Sequence, residues 1–167
     1  MPLLLLDTPS GQPKWLEEAP PTQTATTLAD WLEQANGTPP DDGAIQLTTA
    51  DNPEALLSAL THLHRVEVLF DDINDGRGFS VARRLREMGF AGEIRATGRF
   101  LQDQIHYLSR CGFTAFALPA GTPQNIVLNQ LKPFSIGYQA VLNESAPRIL
   151  TTQSPPASAP AEAHRVR

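Results

Sequence analysis

Apolar residues change their spacing repeatedly along the middle of the chain, and these changes predict alternating strands and helices. The stretch RVEVLFDD is β-branched and aromatic and predicts a strand over residues 66–70. An amphipathic segment follows and predicts a helix over residues 79–88, ended by Gly89. GEIRATG then predicts a second strand over residues 92–98, and RFLQDQIHYLSRCG predicts a second helix with Gly112 at its C-terminal cap.

The same alternation continues on the C-terminal side. TAFALP predicts a third strand, while Thr122 and Pro123 predict the cap and the first position of a third helix. FSIGYQAVL alternates apolar and polar positions through Phe134, Ile136 and Tyr138, and it predicts a last strand.

The N-terminal part of the chain adds four predicted elements. MPLLLL predicts a short strand, TTLADWLEQANG predicts a helix capped by Thr26 or Thr27, and GAIQLTT predicts another strand. DNPEALLSALTHLH predicts a helix that opens with a capping box between Asp51 and Glu54.

Strands and helices that alternate in this way are typical of βαβ units. We therefore predict an α/β fold with a parallel sheet and covering helices, either open or curled like part of a barrel. The predicted single domain spans residues 1–142, and the Pro/Ser/Ala-rich segment 143–167 predicts a disordered tail.

Composition narrows the class of protein. The 167 residues are 41% hydrophobic and carry 18 acids against 13 lysines and arginines, for a net charge of −5. An acidic chain without a basic run argues against nucleic-acid binding. The leucine-rich start lacks a basic flank and is too short to span a bilayer, so we expect a cytoplasmic protein without membrane attachment.

Cofactor and metal chemistry find little support in the sequence. Cys111 is the one cysteine, which excludes an intrachain disulfide, a Cys-rich zinc site and a self-contained iron–sulfur cluster. The acids of DDIND follow a strand, whereas the diphosphate–magnesium motif that they resemble places its acids on one helix face. We predict no metal site and no cofactor.

The loop before the helix at 79–88 is the strongest candidate site. Ligands of parallel sheets bind outside the carboxyl ends of the strands, and a helix N-terminus attracts anions. We expect residues 71–80 and 95–99 to share that edge. The predicted anion-binding residues are Asp75, Gly76, Arg77, Gly78, Ser80 and Arg95.

Two other interpretations remain open at this point. The loop can be structural, with Asp75 or Ser80 as a cap and Arg77 paired with Asp75. Alternatively, Asp75 or Asp103 is a catalytic general base. A polar face of the second predicted helix either contacts the ligand or forms a polar network; it comprises Gln104, Tyr107, Arg110 and Cys111.

Three motifs resemble a known family in the same order: DGRGFSVARRLRE, GEIRATGRFLQDQIHYLSRCGFTAFAL and FSIGYQ. The family is proteobacterial and of unknown function, its members are labelled oxidoreductases involved in sulfite reduction, and their genes often neighbour that of the sulfite/nitrite reductase hemoprotein subunit. The resemblance spans residues 66–139. Where the family usually has Phe-Pro-Lys before the loop, this chain has Phe70, Asp71 and Asp72, so an acid replaces a base there.

The resemblance implies an accessory protein of assimilatory sulfite reduction that binds a small oxyanion or docks to the hemoprotein subunit. It implies oxidoreductase activity by label alone. The alternative is a stand-alone enzyme that acts on a phosphorylated or sulfated metabolite.

Overall fold

The computed structural model describes residues 1–6, 12–18, 25–34, 40 and 43–131, which lie in a compact unit spanning Met1–Pro133. The described residues form one open sheet of seven strands in the order β2-β1-β7-β6-β5-β4-β3. The strands are β1 (Leu3–Leu5), β2 (Lys14–Leu16), β3 (Thr26–Thr27), β4 (Ala44–Thr48), β5 (Arg65–Phe70), β6 (Glu93–Gly98) and β7 (Ala115–Ala117).

Four α-helices and two short 3₁₀ segments accompany these strands within the described part of the chain. The helices are α1 (Leu28–Gln34), α2 (Arg77–Glu87), α3 (Ile105–Arg110) and α4 (Gln124–Gln130). The 3₁₀ segments are Pro53–Leu56 and Gln102–Gln104, and the second runs directly into α3.

The sheet is mostly parallel, which confirms the α/β class, but it is not parallel throughout. Strands β3 to β7 pair in parallel, whereas β1 pairs antiparallel with both β2 and β7. No crossover helix precedes a first strand, so the βαβ rule does not fix the direction of β1. The prediction of a wholly parallel sheet is therefore wrong at this side.

The strand register separates two faces of the sheet. Ile45, Val66 and Ile94 are neighbours across β4, β5 and β6, and all three are fully buried in the main hydrophobic cluster. Alternate residues point to the opposite face, where Glu67 of β5 lies beside Arg95 of β6. Helix α2 packs on the first face, since Val81 belongs to the same cluster.

Residues 51–64 do not form the predicted α-helix. Asp51 accepts hydrogen bonds from the Thr48 backbone N–H and hydroxyl, at 2.6 and 2.9 Å, so it is not the N-cap. Asn52 caps instead, by accepting from the Glu54 N–H at 3.0 Å, and a 3₁₀ turn and further turns follow. The apolar face is still buried, for example at Leu56. The predicted capping box was wrong because Asp51 already accepts hydrogen bonds from Thr48 at the end of β4.

Two helix starts also differ from the prediction. Helix α2 begins at Arg77, earlier than the residue 79 start that the pattern indicated. Pro123 is the N-cap of α4, and the Thr122 hydroxyl donates to the Pro119 carbonyl at 2.7 Å instead of capping the helix. The predicted stop of α2 is confirmed, since Gly89 has φ +88° just after the helix.

The predicted last strand over residues 134–142, the tail 143–167 and the domain limit at residue 142 lie outside the described residues.

Candidate functional site

The loop between β5 and α2 lies at the carboxyl edge of the parallel strands. Asp72 organises it, because its Oδ1 accepts hydrogen bonds from the Asn74 backbone N–H at 2.8 Å and from the Asn74 side chain at 3.2 Å. The Asp75 backbone N–H then donates to the Asp72 carbonyl at 3.2 Å. This Asx turn brings the chain to the start of α2.

Asp75 and Arg77 form a bidentate ion pair at the start of α2. Arg77 Nη2 lies 2.7 Å from Asp75 Oδ2, and Arg77 Nε lies 2.9 Å from Asp75 Oδ1. The Arg77 backbone N–H also donates to Asp75 Oδ1 at 3.0 Å, and the buried Thr49 hydroxyl, just after β4, donates to Oδ2. Donors from its own chain therefore surround the Asp75 carboxylate.

These donors fix the charge of Asp75. Hydrogen bonds from the Arg77 side chain and the Thr49 hydroxyl, followed by one from the Arg77 N–H, hold the pKa of Asp75 far below its usual range. Asp75 in turn raises the pKa of Arg77. A carboxylate with so low a pKa is a weak base, so Asp75 is poorly suited to general-base catalysis.

Gly76, the N-cap of α2, and Gly78, its second residue, have different surroundings. A Cβ atom on Gly78 would lie 2.4 Å from the Phe70 ring, so glycine is what allows α2 to pack closely on β5. On Gly76, a Cβ atom would find its nearest neighbour 4.0 Å away, on Phe79. Ser80 is exposed on α2. Helix–strand packing thus explains Gly78 without any bound phosphate.

Arg95 does not join Arg77 at the carboxyl edge. It is the third residue of β6, on the sheet face opposite α2, and only 7% of its surface is exposed. Its guanidinium pairs with Glu93 at 2.6 Å and with Glu67 at 3.4 Å. The sequence-based placement of Arg95 in the anion site was wrong because Glu93, Arg95 and Thr97 alternate along the strand and share that other face.

Gln104 connects the loop to the segment that precedes α3. Its Nε2 donates to the Ile73 carbonyl at 3.3 Å, and its Oε1 accepts the Leu101 backbone N–H at 3.0 Å. Asp103, the other candidate base, is exposed on the adjoining 3₁₀ turn. Two loops from neighbouring strands are therefore held together by one amide side chain.

Tyr107 is the most prominent side chain of this edge. Its ring packs against Phe79 of α2, with 5.1 Å between ring centroids, and 55% of its surface is exposed. Ile73 and Leu101, the two residues that Gln104 connects, are also large and exposed, at 43% and 47%. Tyr107 lies one helical turn after Gln104, whose amide bonds the backbones of Ile73 and Leu101. We call Ile73, Leu101 and Tyr107 the Tyr107 patch.

Cys111 and Arg110 end the polar face predicted on α3. Cys111 is a free, half-buried cysteine, and burial raises its pKa against the smaller opposing effects of a hydrogen bond with Tyr107 and of the nearby charges of Arg83 and Arg110. The thiol is therefore protonated at neutral pH, which lowers its nucleophilicity. The half-buried position of Cys111 is compatible with a structural role.

Sequence reasoning overlooked the structural role of Arg86. This side chain of α2 donates to three backbone carbonyls, those of Gly112 at 2.9 and 3.0 Å, Phe90 at 2.7 Å and Gly92 at 2.8 Å. It joins the end of α2 to the start of β6 and to the turn after α3. The sequence signal for this role was the position of Arg86 on the inner side of an amphipathic helix, since most arginines of such helices face solvent.

Comparison with protein families assigns the chain to a family. Residues 44–149, more than half of the chain, match a family of bacterial proteins of unknown function, DUF934. The chain belongs to this DUF934 family. The match includes the whole segment 66–139 and therefore the loop, α2 and α3 of this family member. Neither the curated proteins nor the solved structures gave a match.

Two further properties concern the described residues alone. None of their helices combines the length and apolar character needed to cross a membrane. Nor do they bring together three or more His, Cys, Asp or Glu side chains in a group that could hold a metal ion.

Proposed function

We propose that this DUF934 protein is an accessory protein of assimilatory sulfite reduction that acts by docking to the sulfite reductase hemoprotein subunit. The metabolic role rests on the family resemblance of the three sequence motifs. The mode of action rests on one observation, the exposed Tyr107 patch at the carboxyl edge of the sheet. Tyrosine is among the residues that most often supply binding energy in protein interfaces.

Docking agrees better with the geometry of the loop than oxyanion binding does. A small oxyanion at the start of α2 would compete with the Asp75 carboxylate, which already accepts from two nitrogens of Arg77 and from a backbone N–H. Asp75 is covalently part of the loop and therefore has a high effective concentration at these donors. The loop already contains its own anion.

The oxidoreductase label agrees with this role when the redox groups belong to the partner. A dithiol cycle needs two thiols, and this chain has one cysteine, whose pKa is raised by burial. An accessory protein can position an electron donor or stabilise the hemoprotein without carrying out a redox step itself.

Direct binding between the purified chain and the purified hemoprotein subunit tests the proposal. Isothermal titration calorimetry should show saturable binding with a Kd in the micromolar range. A bacterial sulfite reductase flavoprotein subunit serves as the control partner. Absence of binding at 100-fold higher concentrations, on the order of 100 μM, would contradict docking.

The same protein sample tests the alternative function, that of a stand-alone enzyme. If the chain acts alone on a sulfated or phosphorylated metabolite, sulfite, sulfate or phosphate should raise its melting temperature in the absence of any partner. The docking proposal predicts no such rise at millimolar concentrations of these anions.

A further inference from the structure

The exposed carboxyl edge combines an apolar centre with an excess of acidic side chains. The Tyr107 patch supplies the centre. Asp71 and Asp72 follow β5, Asp103 precedes α3, and all three are exposed, as is Arg99 after β6. Asp75 and Arg77 neutralise each other, as do Arg83 and Glu87 of α2, so the three other acids against Arg99 and Arg110 leave a net charge of about −1 around the patch.

Contacts within the chain support the patch from below. Phe79 packs against the inner side of the Tyr107 ring, and the Phe79 ring itself packs edge-on against the buried Phe70, at 6.1 Å between centroids. The two bonds of Gln104 fix the backbone at Ile73 and Leu101. Binding at a preorganised surface loses less conformational entropy than binding at flexible loops, which raises affinity.

We infer that the Tyr107 patch is a docking surface for a basic protein surface, one that offers an apolar pocket surrounded by lysine or arginine side chains. The inference rests on the proposed docking function and adds to it the surface used and the chemistry of the partner. Complementary charges around an apolar centre are the usual arrangement of specific interfaces, in which the charges mainly accelerate association.

The acidic side chains of these loops favour a basic protein surface over two other occupants, nucleic acid and a second copy of the chain. Nucleic acid would be repelled by the acidic loops. A second copy of the chain would place the same acidic loops against each other at a symmetric interface, which like charges disfavour.

Substitutions in the complete chain, measured by titration into the hemoprotein subunit, test the inference. Tyr107→Ala should weaken binding at least tenfold. Because it also removes a packing partner of Phe79, Ile73→Ser, in an exposed loop, provides a second variant that leaves the aromatic packing intact and should weaken binding several-fold. Leu57→Ala and Glu33→Lys change exposed residues elsewhere, and should stay within twofold of the wild type.

Charge reversal tests the chemistry of the partner. The double variant Asp71→Lys/Asp103→Lys should bind about tenfold more weakly at low salt, and the wild-type association rate should fall as salt rises. Unchanged affinity in the Tyr107, Ile73 and double variants, with normal wild-type binding, would overturn this inference and leave the docking function standing. Absence of wild-type binding would overturn both. A wild-type dimer that Tyr107→Ala dissociates in sedimentation would show that a second copy occupies the patch, against the inference.

Discussion

Asp75 is the residue whose chemistry the structure changes most. The sequence allowed it to be a base, a cap or part of an anion site, and the hydrogen bonds with Arg77 and Thr49 favour the structural role. One carboxylate accepts a backbone N–H at the start of α2, neutralises an arginine and connects the ends of β4 and β5. Its ionised form is thus part of the folded state.

Asp75→Asn should destabilise the protein in a pH-dependent way. The folded state lowers the pKa of Asp75, so its stabilising effect is fully present above the unfolded pKa of about 3.9 and is lost as the pH falls further. Urea unfolding should therefore show a lower free energy of unfolding for the variant at pH 7, and a difference that narrows below pH 4. Equal stability of both proteins at pH 7 would contradict the assigned pair.

Arg86→Met should lower the free energy of unfolding by about 2–4 kcal/mol, because it leaves three partly buried carbonyls without a charged donor. Arg83→Met is the matched control on the same helix. Arg83 is exposed and pairs with Glu87 one turn away, so its removal should cost less than about 0.5 kcal/mol. Similar losses in urea unfolding of the two variants would argue against the role of Arg86.

The central elements could be predicted from the sequence because several signals agree in each. In β5, α2 and β6 the apolar period, the bounding glycine and the turn residues all indicate the same structure. Strands β2 and β3 contain three and two residues and pair only through the tertiary fold, so their own sequences carry too little information. The direction of β1 depends on partners distant in the chain.

The candidate site could be predicted only in part, and two residues show why. Arg77 was expected at the edge and lies there, because the loop that leads to α2 must start at the carboxyl end of β5. Arg95 was expected there too, but a strand residue faces one side or the other according to its register, and a shift of one position changes the face. The Tyr107 patch depends on packing between α2 and α3, which no local pattern specifies.

At the level of elements, Gly78→Ala tests whether the Gly-Arg-Gly sequence serves packing or ligand approach. Alanine normally stabilises a helix relative to glycine, by up to about 1 kcal/mol, but at the second residue of α2 its Cβ would meet the Phe70 ring, and we expect a loss of about 1–3 kcal/mol. The Cβ of Gly76→Ala would meet only an ordinary contact, with Phe79 at 4.0 Å, and the change in stability should be less than about 1 kcal/mol. Thermal or urea unfolding measures both. A stable Gly78→Ala protein would contradict the packing explanation.

At the scale of the whole molecule, the candidate functional edge of the described unit has two parts. The polar loop is paired within itself and keeps α2 in place, while the Tyr107 patch beside it remains exposed. This division predicts that the loop variants act mainly through stability, and that the patch variants act through binding with the fold intact. It also agrees with the proposed role of this DUF934 protein, which needs a partner.

Growth of a deletion strain on defined sulfur sources tests that role most directly, in a host without a redundant copy. We predict failure on sulfate and on sulfite, with normal growth on sulfide or cysteine, and recovery when the wild-type gene is returned. The Tyr107→Ala gene should restore growth poorly. Normal growth of the deletion strain on sulfite would contradict a function at the sulfite-to-sulfide step.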